Sequence, residues 1–306
     1  MRVVITGATG TIGMAVVGAL RARGDEVLAL SRDAGRARRR LGDAVEVRDW
    51  RDPARTSPPV DALAGAEAIV HLLGEPVDQR WTAEAKRGIR DSRVSSTRRL
   101  VEALGELDAD ERPATLVSQS ATGFYGPRDA RTLDEQAPAG GGFLAEVVAQ
   151  WEREAQAAPP PMRVACTRTG VVVSPSGGAL AKMLPFFRLG VGGPVAGGRQ
   201  YVPWVHLDDV AGAVVHCLDS SGVAGPVNVT APNPVTNAEL ARALGRVLGR
   251  PAVLPVPALA LRLLYGEMAQ IVTTGQRVLP ERLKRLGYRF RHPELKAALR
   301  DVLGAG

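Results

Sequence analysis

The sequence is poor in cysteine and aromatic residues, and it has no long apolar run. Its two cysteines, Cys166 and Cys217, lie in apolar contexts, which predicts small buried side chains rather than a disulfide or metal pair. The histidines show no metal-ligand spacing, so we predict no metal site. No stretch approaches the roughly 18 uninterrupted apolar residues of a membrane span, and the chain starts directly with an apolar strand. These absences favour a cytoplasmic protein without a membrane partner.

Lysine is also scarce: 35 of the 39 basic residues are arginines, and they oppose 32 acidic residues to give a net charge of +7. The basic residues are scattered among the acidic residues, and the one basic run, residues 32–40, has no aromatic residues beside it that could stack on a nucleic-acid base. This pattern is typical of solvated helix faces and not of a nucleic-acid surface. We therefore expect a small-molecule substrate and no nucleic acid. The sequence leaves a homodimer open.

Short β-branched runs alternate with amphipathic helical patterns through the first 170 residues. The predicted strands are residues 2–6, 26–31, 45–49, 68–74, 115–120 and 163–170. The main predicted helices are residues 12–23, 83–104 and 143–157. This alternation predicts an α/β fold, a Rossmann-type doubly wound parallel sheet with right-handed crossovers.

The alternation breaks after residue 170. Residues 174–203 are rich in glycine and proline, a helical pattern follows at 205–219, and 226–230 reads as one more strand. A capping box, Thr236 with Glu239, opens a helix to about 248, and the tail is predicted to be helical. We therefore predict a nucleotide-binding domain and a smaller, mostly helical C-terminal lobe. The domain comprises residues 1–170 and 204–230, and the lobe comprises 171–203 and 231–306.

The stretch GATGTIG, residues 7–13, lies directly between the first strand and the first helix. Its glycines allow a tight turn and close approach of the backbone to a pyrophosphate, while the helix N-terminus offers free N–H groups. The alternative is a plain glycine-rich turn. The residues predicted to contact the cofactor here are Gly7, Thr9, Gly10, Thr11, Ile12 and Gly13.

The end of the second strand predicts which dinucleotide binds. NAD sites usually place a carboxylate there for the ribose 2′-hydroxyl, whereas this chain has Ser31 and Arg32, with Arg36 one turn further on. A hydroxyl and a guanidinium suit a 2′-phosphate. NADP (NADPH) is therefore favoured, and NAD is less expected. The alternative is that Arg32 only caps a loop.

Several motifs resemble the extended short-chain dehydrogenase/reductase superfamily: ITGATGTIG (5–13), HLLGEP (71–76), SQSATGFYG (118–126) and VHLDDVA (205–211). Residues 74–104 and 259–288 resemble, more specifically, the YfcH-type epimerase-like proteins of the NAD-dependent epimerase/dehydratase superfamily. That branch is atypical and has a C-terminal domain of unknown function. The resemblance covers essentially the whole chain.

The resemblance implies a serine or threonine, a tyrosine and a lysine that act together in hydride transfer. Ser120 matches the serine position, with Thr122 as a rival. No tyrosine has a lysine four residues later. Phe143 or Leu144 stands at the tyrosine position, and Val147 or Val148 stands at the lysine position. The acid–base pair is therefore absent from the chain.

The fold analogy places further side chains near a bound dinucleotide. Tyr125 could act as a substitute acid, although packing at the pocket rim is an equal alternative. Glu75 could be a base or a hydrogen-bond acceptor, and Arg93 and Glu146 are also within reach. The remaining residues predicted by analogy to contact the cofactor are Asp49 and Trp50 against the adenine, Leu72, Leu73 and Gly74 after the fourth strand, and Ser118.

Two hypotheses follow. The first is an NADP-dependent oxidoreductase or epimerase with a non-standard proton donor. The second is a non-catalytic, NADP(H)-loaded redox sensor or scaffold for a protein partner, which the missing tyrosine–lysine pair motivates.

Overall fold

The computed structural model describes residues 1–175 and 177–304. The strands in this part of the chain are β1 (Arg2–Thr6), β2 (Glu26–Ser31), β3 (Glu46–Asp49), β4 (Ala68–His71), β5 (Thr115–Ala121), β6 (Thr132–Leu133), β7 (Arg163–Thr169), β8 (Val171–Val173), β9 (Tyr201–Val202), β10 (Trp204–His206), β11 (Gly225–Val229), β12 (Val235–Thr236) and β13 (Arg277–Val278).

The α-helices are α1 (Thr11–Ala22), α2 (Ala34–Leu41), α3 (Val60–Leu63), α4 (Ala83–Asp91), α5 (Val94–Glu106), α6 (Phe143–Gln156), α7 (Gly178–Arg188), α8 (Leu207–Asp219), α9 (Asn237–Leu248), α10 (Ala258–Tyr265), α11 (Gln270–Thr273), α12 (Glu281–Arg285) and α13 (Leu295–Leu303). Two 3₁₀ turns span Thr122–Tyr125 and Gly266–Ala269.

The central sheet has seven parallel strands in the order β11-β7-β5-β4-β1-β2-β3. Alternate residues of β1 enter opposite cores: Val3 and Ile5 pack with α1 and α8, whereas Val4 packs with α3 and α5. The strand order reverses between β1 and β4, and ligands bind at the carboxyl ends of strands beside such a switch point. The predicted doubly wound sheet is confirmed.

The predicted long helix over 83–104 is wrong in one respect, because it is two helices separated at Ser92 and Arg93. The Ser92 hydroxyl accepts the Glu75 N–H, and the Arg93 guanidinium donates to the carbonyl oxygens of Ile89 and Glu75. These contacts with the loop after β4 hold the break. Gly105 does not end α5, which continues to Glu106.

Two other boundaries differ from the predictions. The predicted helix over 205–219 begins with β10, which pairs with β8, and becomes helical only at Leu207. The tail is not wholly helical, because β13 pairs in parallel with β6. The capping box at Thr236 and Glu239 is confirmed, since each side chain bonds the other residue's backbone N–H.

A third core cluster lies apart from the sheet and joins α7, α9 and α13 around Trp204. The tail is also tied to α8, because the Asp209 carboxylate accepts the backbone N–H groups of Arg291 and His292. The division into a domain and a lobe stays a prediction. Ser176, Ala305 and Gly306, which fall in the predicted lobe, lie outside the described residues.

Candidate functional site

The turn between β1 and α1 can only be built from glycine at two positions. Gly7 has φ +70°, and a Cβ there would lie 2.7 Å from the Leu72 carbonyl oxygen. A Cβ on Gly13 would lie 2.2 Å from the Gly7 carbonyl oxygen. Gly10 is the N-cap of α1, and no side chain caps it. The first N–H groups of α1 are therefore free of side-chain partners and suited to a phosphate group.

The remaining turn residues that we predicted as cofactor contacts, Thr9, Thr11 and Ile12, are half-buried at the mouth of the crevice. The segment that leads into α7 lies over them: a Cβ on Gly177 would approach the Thr11 hydroxyl oxygen to 2.7 Å. The crevice therefore has the phosphate turn as its floor and the start of α7 beside it.

Basic side chains lie at the carboxyl end of β2. Ser31 ends the strand, and Arg32 and Arg36 are exposed beyond it. The nearest carboxylates have other partners: Asp33 caps α2 by accepting the Arg36 N–H, and Asp49 accepts the Ala34 N–H. Each carboxylate therefore already accepts a backbone N–H, while the guanidinium groups of Arg32 and Arg36 add positive charge at the end of β2.

An ion pair spans the crevice. Arg32 Nη1 lies 3.0 Å from Glu75 Oε1, so side chains that follow β2 and β4 meet across the end of β1. The Glu75 backbone is held by Ser92 and Arg93. A phosphate that binds Arg32 must compete with this carboxylate or share the guanidinium with it.

Arg93 is a half-buried cation without a carboxylate bonded to it. It stacks 5.4 Å from the Trp151 ring centroid, donates to two carbonyl oxygens, and lies against Gly74, where a Cβ would approach Nη2 to 2.9 Å. Burial lowers the pKa of Arg93 to about 10, partly offset by the negative charge of Glu75. It places fixed positive charge beside the end of β4.

A chain of hydrogen bonds beneath the crevice, which sequence reasoning missed, connects the phosphate turn to Arg93. The Leu72 N–H donates to the Thr6 hydroxyl, which lies 2.8 Å from His71 Nδ1, and His71 Nε2 lies 2.9 Å from the Thr97 hydroxyl. Thr97 in turn donates to the Arg93 carbonyl oxygen. Burial lowers the pKa of His71 to about 3, so the ring is neutral. In the sequence, the only indication of this hydrogen-bond chain is a histidine at the end of a buried strand.

Two residues predicted to contact the cofactor lie in the core instead. Trp50 is buried in the cluster around Leu28 and Leu30, and its indole N–H donates to the Thr56 carbonyl oxygen. It has no free face for an adenine. Ser118 is 1% exposed. It lies on β5, a central strand of the sheet with β4 on one side and β7 on the other. Leu72 and Leu73 are half-buried, one against each core.

Ser120 and Tyr125, predicted as catalytic residues, are both fully buried. Ser120 donates to Glu152 Oε1 at 2.6 Å, and Glu152 forms a two-bond ion pair with Arg168. Arg168 donates to the Tyr125 hydroxyl, whose single proton faces two acceptors, Asn228 Oδ1 at 2.6 Å and the Asp134 carbonyl oxygen at 2.9 Å. The structure brings the two residues into one closed network and places neither at the crevice.

Burial in this network raises the pKa of Tyr125 to about 12, against the opposing effect of Arg168. The expectation of a substitute acid near the nicotinamide is therefore not met by this geometry. Sequence reasoning missed Glu152 and Arg168. The signal was an arginine within the apolar strand RVACTRT, which requires a buried partner.

The chain was compared with known proteins. A model for the NAD dependent epimerase/dehydratase family matches residues 3–230. The chain belongs to this family. A domain of unknown function (DUF1731) matches residues 256–302, which confirms the resemblance found in the sequence.

Relatives cover nearly all of the chain. An SDR39U1 epimerase family protein homologue from Arabidopsis thaliana, labelled chloroplastic, is 39% identical over 99% of this chain and 87% of its own length. The crystal structure of human SDR39U1 with NADPH aligns with a TM-score of 0.88 at 34% identity over 99% of both chains. A nucleoside-diphosphate sugar epimerase from Corynebacterium glutamicum aligns at 0.77 and 32% identity, over 99% of this chain and 58% of its own.

This member of the epimerase/dehydratase family has apolar side chains at both positions that the resemblance assigns to tyrosine and lysine. Phe143 packs against Trp81 with ring centroids 5.2 Å apart, and Val147 is buried against Trp151 and Val94. Leu144 and Val148 lie against Gly123 in the turn after β5. Glu146 points away and is exposed. The start of α6 therefore contributes packing and no proton donor.

Within residues 1–175 and 177–304, one group of side chains has metal-ligand spacing: His206, His292 and Asp301. His206 caps α8 by accepting the Asp208 N–H on Nδ1. In neutral His206 the proton is then on Nε2, which faces Asp301 at 3.2 Å. A metal at Nε2 would need the lone pair on that nitrogen and would break the cap, so this group does not fit a metal.

Proposed function

We propose that this protein binds NADPH in the crevice between β1 and β4 and acts as an oxidoreductase or epimerase on a small molecule. The observation that carries the proposal is the pair of exposed guanidinium groups, Arg32 and Arg36, at a β2 end whose carboxylates are already hydrogen-bonded. The human relative crystallised with NADPH supports it. We propose a cytoplasmic location and no nucleic-acid partner.

Each part of the crevice has a separate task in this proposal. The N–H groups at the start of α1 hold the pyrophosphate, and Arg32 and Arg36 hold the 2′-phosphate. Arg93, beside Gly74, supplies the positive charge near the nicotinamide ribose that a lysine supplies elsewhere in the superfamily. The bound dinucleotide supplies hydride.

The missing tyrosine limits the chemistry. Water or an acidic group of the substrate then supplies the proton. General acid catalysis typically contributes about 10²–10⁴-fold, so we expect slow turnover unless the substrate is already activated. An electron-poor double bond or carbonyl is the substrate type that best suits such a site.

The Arg32→Ser variant tests cofactor selection. Loss of the guanidinium removes charge-assisted bonds to the 2′-phosphate, so we expect NADPH affinity to fall on the order of 30- to 100-fold, while NADH affinity changes less than about threefold. Isothermal titration with both cofactors measures this. Equal losses for the two cofactors, or no NADPH binding by the unmodified protein, would overturn the proposal.

Glu75→Gln is the matched control from the other side of the ion pair. This substitution frees Arg32 from a competing carboxylate and removes a negative charge near the 2′-phosphate, so NADPH should bind a few-fold more tightly. Weaker NADPH binding would instead mean that Glu75 itself contacts the cofactor.

The buried network around Ser120 favours a second candidate, an NADP(H)-loaded redox sensor or scaffold for a protein partner. It leaves neither hydroxyl free for substrate. Incubation with stereospecifically deuterated NADPH and a panel of carbonyl and enone compounds distinguishes the two functions. Deuterium transfer at any substrate supports the enzyme, whereas partner capture that differs between NADPH- and NADP⁺-loaded protein supports the sensor.

A further inference from the structure

The C-terminal part of the chain carries a concentrated apolar surface. Of eleven large hydrophobic residues exposed in the described part of the chain, all except Met1 lie in residues 186–191 and 253–272. We call these ten residues the apolar ridge: Phe186, Leu189, Val191, Val253, Leu254, Leu259, Leu263, Leu264, Tyr265 and Val272. Their exposed area is on the order of 1,000 Å², above the roughly 300–600 Å² of the largest patch on a typical monomer.

The two segments of the apolar ridge are joined in space. The Val256 N–H donates to the Pro194 carbonyl oxygen, and the Ala196 N–H donates to the Val256 carbonyl oxygen. A Cβ on Gly193 would lie 2.0 Å from the Leu254 carbonyl oxygen. Helix α10 has no buried residue, so it stands on the surface as a ridge and does not line a groove.

The same region has mainly positive charge, because its two segments contain one acidic residue, Glu267, which pairs with Lys86. Neither residues 155–207 nor residues 240–266 contain an aspartate or glutamate. Six exposed arginines lie in these two ranges, and none forms an ion pair in the described chain: Arg188, Arg199, Arg242, Arg246, Arg250 and Arg262. Three of them, Arg242, Arg246 and Arg250, line a hollow of about 310 Å³ beside Val253.

We propose that the apolar ridge docks on the surface of an anionic phospholipid bilayer. Its leucines enter the acyl boundary, and the arginine-lined hollow receives a lipid phosphate. A second copy fits less well, because a two-fold interface would bring the same arginines together without an acidic partner. A protein partner would need a groove shaped to the ridge, whereas lipid adapts to its shape.

This docking needs no membrane-spanning segment. None of the helices in the described residues is long and apolar enough to cross a bilayer. The proposal departs from our expectation of no membrane partner, which followed from the lack of a long apolar run. The proposal is independent of NADPH binding.

Vesicle flotation with the full chain tests the proposal. The probes are vesicles of phosphatidylcholine alone and of phosphatidylcholine mixed with phosphatidylglycerol. We expect binding to the anionic vesicles only and weaker binding at high salt. The L259S/L263S variant changes exposed positions and should fold normally. It should lower the bound fraction more than tenfold, because two leucines no longer enter the acyl boundary.

A pair of charge-matched variants separates local binding from the attraction of a basic protein to any anionic surface. R246Q/R250Q should weaken vesicle binding on the order of tenfold, whereas R39Q/R40Q, with the same loss of charge on α2, should change it less than twofold. Equal effects of the two variants, binding unaffected by L259S/L263S, or no vesicle binding would overturn the proposal. So would a dimer in light scattering that the leucine variant dissociates, since a second copy would then cover the ridge.

Discussion

Replacing Glu152 with alanine is expected to lower the free energy of unfolding by about 3–5 kcal/mol, because it leaves the Arg168 guanidinium buried without a counter-ion. Arg168 is 3% exposed and donates two hydrogen bonds to this carboxylate. The Ser120 hydroxyl loses its acceptor in the same change. Urea denaturation followed by circular dichroism measures the loss.

The neighbouring Glu154 offers a matched control on the same helix. It pairs with Arg98, whose side chain is 53% exposed. Glu154→Ala should cost less than about 1 kcal/mol, since exposed pairs contribute little. The double variant E152M/R168M should recover much of the stability lost in Glu152→Ala, because it removes the charge as well as its partner. A similar cost for Glu152→Ala and Glu154→Ala would contradict the interpretation of this network.

Acid is expected to destabilise the protein through His71. Burial lowers the pKa of His71 from its ordinary value of 6.5 to about 3. Below about pH 6.5 the unfolded chain binds a proton at this residue and the folded protein does not. The free energy of unfolding should therefore fall as the pH falls from about 6.5 towards 3, by on the order of 4 kcal/mol from this residue alone.

Urea titrations between pH 7 and pH 4 measure this effect as the difference between the unmodified protein and His71→Gln. The variant loses hydrogen bonds at neutral pH and should be less stable there, but the difference should shrink as the pH falls. His216→Gln, at a half-buried site on α8, is the matched substitution at a second histidine. A constant difference for His71→Gln across this pH range would mean that His71 is not held neutral in the fold.

The cofactor crevice could be predicted largely from the sequence because its determinants are local. Gly7 and Gly13 stand in a turn where backbone sterics require glycine, Gly10 is the N-cap of α1, and Arg32 follows its strand directly. Residues that are adjacent in the chain at a strand end emerge at the same edge of the sheet. Trp50 and Ser118, which we had predicted to contact the cofactor, lie in the core instead. Side chains along a strand alternate between the two faces of the sheet, and this alternation decides which of them enter the core.

The environment of Ser120 and Tyr125 could not be predicted from the local sequence. Ser120 and Tyr125 were placed by analogy, but their environment is set by Glu152, Arg168 and Asn228, and the hydrogen bonds to these partners span 32 to 103 residues of the chain. A hydroxyl that faces a substrate in one protein can be an internal donor in another, depending on such distant partners. The break at Arg93 has the same origin, in contacts with the loop after β4.

The sequence by itself determined the parallel sheet, the phosphate-binding turn, the guanidinium groups at the β2 end and the absence of a tyrosine–lysine pair, since each depends on residue type and short spacing. Tertiary structure alone decided that the candidate hydroxyls are closed off in the core, that Glu75 reaches Arg32, and that an apolar ridge stands exposed beside unpaired arginines. Those outcomes depend on which distant side chains meet, because burial and pairing energies are set by three-dimensional neighbours and not by position in the chain.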